Sequence, residues 1–157
     1  MKFLVFSDAH GNTRFLSRAL QLHPDTEGVF FLGDGLEQIE SIKQQLHIPF
    51  YCARGNCDFA VGTATTNVLQ CMGHKILYTH GHAYQVKSGL ERIKAAARDC
   101  GADIVLFGHT HNPMTQYDDG LYLMNPGSIG MDVHGGSYGI MELSQQGIML
   151  SNAIIKR

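Results

Sequence analysis

The chain has 157 residues, is 44% hydrophobic and 17% charged, and is long enough to bury a sizeable core. Its formal net charge of −2 gives no reason to expect nucleic acid or an anionic membrane as partner. No apolar run nears the ~20 residues of a membrane span, and the opening MKFLVFSDAH carries no signal-peptide cleavage site, so a cytoplasmic location is expected.

Short apolar runs bounded by turn residues read as buried strands at Phe3–Phe6, Val29–Leu32, Ile48–Ala53, Ile76–Tyr78 and Ile104–Phe107. Between the first two, Phe15, Leu16, Ala19 and Leu20 share one side of a helix expected over Thr13–Leu22. A second helix is expected over Gly35–Leu46, where Leu36, Ile39, Ile42 and Leu46 recur every three or four residues. A third covers Leu90–Cys100. This alternation predicts an α/β fold with a mostly parallel sheet. The end of the chain differs, with strands expected at Thr115–Tyr117, Leu121–Met124, Gly139–Leu143 and Ile148–Ile155. Asp119-Gly120 is a hairpin turn signal, so antiparallel strands follow the α/β part. Two packed sheets with helices outside accommodate both halves. There is no repeat, low-complexity tract or linker, and one domain is expected over residues 1–157. Cys52, Cys57, Cys71 and Cys100 form no CxxC pair and read as reduced thiols.

The chemistry lies just after the strands. Phe3–Phe6 is followed by Asp8 and His10, and Val29–Leu32 by Gly33-Asp34. Ile48–Ala53 is followed by Gly55-Asn56-Cys57-Asp58. Ile76–Tyr78 leads to His80, and Ile104–Phe107 to Gly108-His109-Thr110-His111. In open α/β sheets, sites form at the carboxyl ends of strands. The pairs Asp8/His10 and His109/His111 are two residues apart, which in an extended segment points both side chains the same way. Asp8, His10, Asp34, Asn56, His80, His109 and His111 offer carboxylate, amide and imidazole donors, a mixture that suits Mn, Fe, Zn or Ni. Seven donors are too many for one catalytic ion but fit two, with Asp34 as the bridge. Two divalent ions, two aspartates and a bridging hydroxide leave a charge of about +1, which favours an anionic phosphate. The bland alternatives are helix capping by Asp34 and a turn role for Asn56.

The ordered series Asp-x-His, Gly-Asp, Gly-Asn-x-Asp, His and Gly-His-x-His, over residues 8 to 111, resembles the calcineurin-like metallophosphoesterases. The short length, the Gly-Asn-Cys-Asp form and Asn125-Pro126-Gly127-Ser128 are similar to the family's small bacterial and archaeal phosphodiesterase branch, which is related to a eukaryotic retromer subunit. The resemblance implies a four-layer αββα sandwich of two mixed sheets. It implies one ion on Asp8, His10, Asp34 and His111, and a second on Asp34, Asn56, His80 and His109. The implied reaction is hydrolysis of a small-molecule phosphodiester by a metal-bound hydroxide, with Mn2+ as first choice of metal. Where most of the family has His after Gly-Asn, this chain has Cys57, and a thiol is a poor general acid for an alkoxide. Losing one such acid costs roughly 10²–10⁴ in rate, so good leaving groups are expected to be preferred. With attack by hydroxide, Cys57 has no nucleophilic task.

Asp58 is expected to orient His10 through a hydrogen bond. Arg54 and His82 are candidates for substrate binding, although Arg54 could instead pair with Asp58. His23, His47, His74 and His134 read as surface or core histidines, and Asn125–Ser128 as a turn near the site. Neither the phosphate-binding loop GxxxxGK[ST] nor the dinucleotide fingerprint GxGxxG is present, and a serine hydrolase is not expected. The competing reading is a protein-interaction scaffold on the same fold, as the retromer subunit suggests. A nuclease is not expected, because no basic groove with stacking aromatics is legible. Edge strands near the C-terminus could pair two copies.

Overall fold

The computed structural model describes residues 1–59, 62–130 and 135–156. Ten strands and three α-helices follow in chain order: β1 (Lys2–Phe6), α1 (Arg14–Leu22), β2 (Gly28–Phe31), α2 (Leu36–Gln45), β3 (Phe50–Cys52), β4 (Thr66–Cys71), β5 (His74–Thr79), α3 (Glu91–Cys100), β6 (Ile104–Phe107), β7 (Met114–Asp118), β8 (Leu121–Asn125), β9 (Gly135–Ser144) and β10 (Gly147–Lys156). A single 3₁₀ turn, His82–Tyr84, follows β5. One sheet has the order β10-β9-β1-β2-β3 and the other β4-β5-β6-β8-β7.

The apolar runs explain the layers. Side chains alternate across a strand, so a run that is apolar throughout is covered on both faces. Phe3, Val5, Phe30 and Leu32 point between the sheets and meet Ile76, Tyr78, Ile104 and Leu106 from the facing sheet. Leu4, Phe6, Val29 and Phe31 point outward and are covered by Phe15, Leu16 and Ala19 of α1 and by Leu36 and Ile39 of α2. On the far side, Leu77, Val105 and Phe107 are covered by Ile93 and Ala97 of α3. Each such side chain contributes about 1.5–3 kcal/mol on burial. The result is the four-layer αββα sandwich of two mixed sheets.

β1, β2 and β3 run parallel, as do β5, β6 and β8. The late strands are antiparallel hairpins, as expected, but each completes a different sheet. β7–β8 joins β6 through β8, and β9–β10 joins β1 through β9. Asp119 and Gly120 form the two-residue turn of the first hairpin, both at positive φ. β4 has no counterpart in the sequence reading. Its residues are half-buried or exposed, with polar Thr66, Asn67 and Gln70, and it pairs with β5 through a Met72-Gly73 turn, also at positive φ. β9 is longer than expected because its Gly-rich start still pairs with β10.

Candidate metal centre

The loops that leave β1, β2, β5 and β6 meet at one edge of the sandwich. Asp8, His10, Asp34, His109 and His111 all have positive φ, between 43° and 67°. This corrects the extended-segment argument: tight left-handed turns, not a pleat, aim the side chains. The left-handed region costs a non-glycine residue about 1–2 kcal/mol, and Asp and His tolerate it better than most. Backbone bonds hold the turns in place. Asp8 N–H donates to Gly33 O at 2.9 Å, His10 N–H to Asp34 O at 3.1 Å, and Gly108 N–H to His80 O at 3.0 Å. His109 and His111, two residues apart, serve different clusters.

The first cluster is Asp8, His10 and His111. Asp8 Oδ1 lies 3.1 Å from His111 Nε2 and 3.5 Å from His10 Nε2. The second is Asp34, His80 and His109. His80 Nε2 lies 3.4 Å from Asp34 Oδ2, 3.1 Å from His109 Nδ1 and 3.0 Å from Asn56 Oδ1. Asp34 Oδ2 is also 3.9 Å from His10 Nε2, so this carboxylate lies between the clusters. Asp8, Asp34 and His80 are buried, whereas His10 and His111 reach solvent.

Whether these donors fit a cation follows from hydrogen bonding. His80 Nδ1–H donates to the Leu32 carbonyl at 2.7 Å, which in the neutral ring leaves Nε2 as a lone pair. That lone pair faces a carboxylate oxygen, an amide oxygen and another imidazole nitrogen. Converging acceptors, with Asp34 and His80 buried among them, are unfavourable unless something positive sits among them. A divalent cation satisfies all of them at once, and the O/N donor set suits one.

Asp34 and His109 are held as unprotonated donors, whereas His80 is drawn towards its charged form by the carboxylates beside it. Burial alone would raise the Asp34 pKa, but hydrogen bonds from His80 and the Cys57 N–H outweigh it and hold the carboxyl well below the usual carboxylate range. Burial lowers the His80 pKa, yet its hydrogen bond to Asp34 and the charge of Asp8 raise it overall. His109 is pushed down to about 4 by burial and by the positive charges of His80 and Lys87, so its imidazole is neutral at pH 7.

Supporting contacts differ from expectation at several residues. Asp58 does not orient His10. Its Oδ1 accepts from the N–H groups of Gly35 and Leu36, and its Oδ2 from those of Asp34 and Gly55, at 2.8–3.0 Å. It caps α2 from another loop, and Asp34 is thereby free of capping. With both Asp58 oxygens on backbone, no Arg54–Asp58 ion pair forms among the described residues. Asn125 Nδ2 donates to the Gly108 carbonyl at 2.8 Å, and Ser128 Oγ to the Asp8 carbonyl at 2.8 Å. That turn therefore fastens two donor-bearing loops, a role only hinted at by the Asn-Pro-Gly-Ser string. Ser7 Oγ, unmarked in the sequence, bonds Asp8 Oδ2.

His82 packs its ring 5.4 Å from that of His80 and 6.2 Å from that of His109, beside the second cluster rather than in it. Burial, then the charges of His80 and Arg54, keep its pKa low. Cys57 is exposed, and its thiol lies within 4.8 Å of donor atoms of His10 and Asp34. All four cysteines are unpaired, as expected. His47 is exposed, His23 bonds the Tyr138 hydroxyl and His74 the Ser144 carbonyl; His134 lies outside the described residues. Gly135-Gly136-Ser137-Tyr138-Gly139 spells Gly-x-Ser-x-Gly, the pattern that surrounds some serine nucleophiles. Ser137 sits inside β9 with its Oγ bonded to the Ser128 carbonyl, not on the strand-to-helix turn a serine nucleophile needs.

Residues 1–146 match the calcineurin-like phosphoesterase superfamily domain. The chain is 33% identical over 129 residues to the probable metallophosphoesterase YsnB of Bacillus subtilis, covering 82% of this chain and 75% of that protein. It is 26% identical over 169 residues to phosphodiesterase YfcE of Escherichia coli K12, covering 90% and 88%. Its fold is similar to that of Vps29 from Entamoeba histolytica complexed with zinc, with a TM-score of 0.77 at 22% identity over 98% of this chain and 99% of that one. The donor-lined sandwich thus has the metallophosphoesterase fold. This chain belongs to the calcineurin-like phosphoesterase superfamily. Among the described residues, no helix is long and apolar enough to cross a membrane.

Proposed function

We propose that the chain is a phosphodiesterase that works with two divalent ions, Mn2+ first among Mn, Fe, Ni and Zn. Asp8, His10 and His111 would hold one ion, Asn56, His80 and His109 the other, with Asp34 shared. When bound, such a pair supplies the acidity that makes hydroxide from water near neutral pH, and the charge that stabilises phosphoryl oxygens. The residues do the rest. The Leu32 carbonyl fixes the His80 tautomer, and Asp58 anchors the loops on either side of Asp34. Arg54 and His82 would face the substrate's phosphate beside the second cluster.

The observation that carries this reading is the position of the Asp34 carboxylate, 3.4 Å from His80 and 3.9 Å from His10. The phosphodiesterase name of the Escherichia coli relative supports the diester substrate. Metal analysis of the purified chain should give about two ions per molecule, with hydrolysis of bis(4-nitrophenyl) phosphate lost in Asp34→Asn. Absence of tight metal, together with a variant as active as the parent, would overturn the reading. That outcome would favour a protein-interaction scaffold, for which the likeness to Vps29 is the supporting observation. Cys57 supports a second expectation: hydrolysis of an alkyl monoester should be slower than that of the aryl diester by about 10²–10⁴. Equal rates on the two would remove the thiol from the account.

A further inference from the structure

A cleft of about 180 Å³ opens beside the candidate centre. It is lined by His10, Asp34 and Cys57, by Glu37 and Gln38 from the first turn of α2, and by Phe59. Phe59 is 87% exposed, whereas the chain's other seven phenylalanines are buried or half-buried. A side chain so exposed adds little to folding. In the lining of a cleft it offers an unused aromatic face. An engineered cavity of about 150 Å³ accepts benzene, so this cleft has room for one ring system.

Charge narrows the choice of occupant. Both Asp58 oxygens are taken by backbone N–H groups, and the exposed Glu37 carboxylate leaves its side of the cleft acidic. A second phosphate or other anionic arm would be repelled there. An uncharged arm with a flat ring would stack on Phe59, while Gln38 and Glu37 could bond polar groups at its edge.

We propose that this cleft is the subsite for one ester group of the substrate, and that it selects phosphodiesters bearing an uncharged aromatic arm, stacked on Phe59. The inference rests on the phosphodiesterase reading. It is tested with methylphosphonate and phenylphosphonate, which resist hydrolysis and differ only by the ring. Calorimetric titration of the Mn2+-loaded protein should show phenylphosphonate binding about tenfold tighter, the range expected for stacking on one aromatic side chain. Phe59→Ala should abolish that preference and leave methylphosphonate affinity unchanged, while Phe59→Tyr should keep it. A preference that survives Phe59→Ala, or is absent from the parent, overturns the subsite and leaves the metal centre standing. Failure of the Mn2+-loaded parent to hydrolyse bis(4-nitrophenyl) phosphate overturns the phosphodiesterase reading itself.

Discussion

A methyl group at residue 55 is a sharp probe of the candidate centre. A Cβ built on Gly55 would collide with Oδ1 and the backbone nitrogen of Asp34. The nitrogen is held by Asp58 at 2.8 Å, so the carboxylate has to yield, giving up the bond that Oδ1 accepts from the Cys57 N–H at 2.8 Å. Overpacking of this kind costs about 1–3 kcal/mol, which a chain of this size tolerates. The carboxylate must turn away from His80 and His10. Gly55→Ala should therefore fold, by circular dichroism, but bind Mn2+ about 10–100-fold more weakly by titration. Unchanged affinity in a folded variant would detach Asp34 from the metal. At this scale the sequence was most informative about residue type. Asp8, Asp34, His80 and His109 were legible because each closely follows a buried strand. Their left-handed backbone was not, since a non-glycine at positive φ leaves no mark in the sequence. Ser7 was illegible too, because a supporting hydroxyl looks like any other serine.

Between elements, Asp58 ties the β3 loop to the start of α2. Gly35, the residue before α2, has no side chain to cap the helix, so the carboxylate from the neighbouring loop accepts the N–H groups in its place. Asp58→Ala strands four donors. A buried one costs about 1–3 kcal/mol, and water can reach some of these, so a loss of about 3 kcal/mol is expected. That corresponds to a fall in Tm of about 10 °C, read by thermal denaturation of the metal-free protein. Asp58→Asn keeps an acceptor and should lose about half as much; a fall of only a degree or two for Asp58→Ala would show that the loops are held elsewhere. This tie was hidden from the sequence because the partners are 22 to 24 residues apart and the motif string drew attention to His10. β4 was hidden for a different reason. An edge strand needs no continuous apolar run, and its turn uses Met72 where Asn or Asp would have signalled a hairpin. The central strands were legible because burial on both faces demands apolar residues at every position.

For the whole molecule, the candidate centre joins the two sheets: Asp8, His10 and Asp34 come from loops of one, His80, His109 and His111 from loops of the other. A ligand that binds only the folded state stabilises it by about 2.7 kcal/mol at one hundred times its Kd. At about 2–4 °C per kcal/mol, each occupied site should raise Tm by about 5–10 °C. The gain must depend on pH, because metal binding needs neutral imidazoles. In the metal-free protein two residues act in opposite directions. The folded pKa of His109, pushed to about 4, lies below its unfolded value of 6.5, so the unfolded chain takes up the proton first and stability falls as pH drops from 6.5 towards 4. The raised folded pKa of His80 gives stability that is full below 6.5 and lost as pH rises through the folded value. Bound metal removes that compensation by holding every imidazole neutral, so the loaded protein must lose stability on acidification. The difference in Tm with and without Mn2+ should be greatest above pH 7 and vanish near pH 5, measured by scanning fluorimetry across that range. A difference that stays constant with pH would mean that the stabilising ion is not held by histidine.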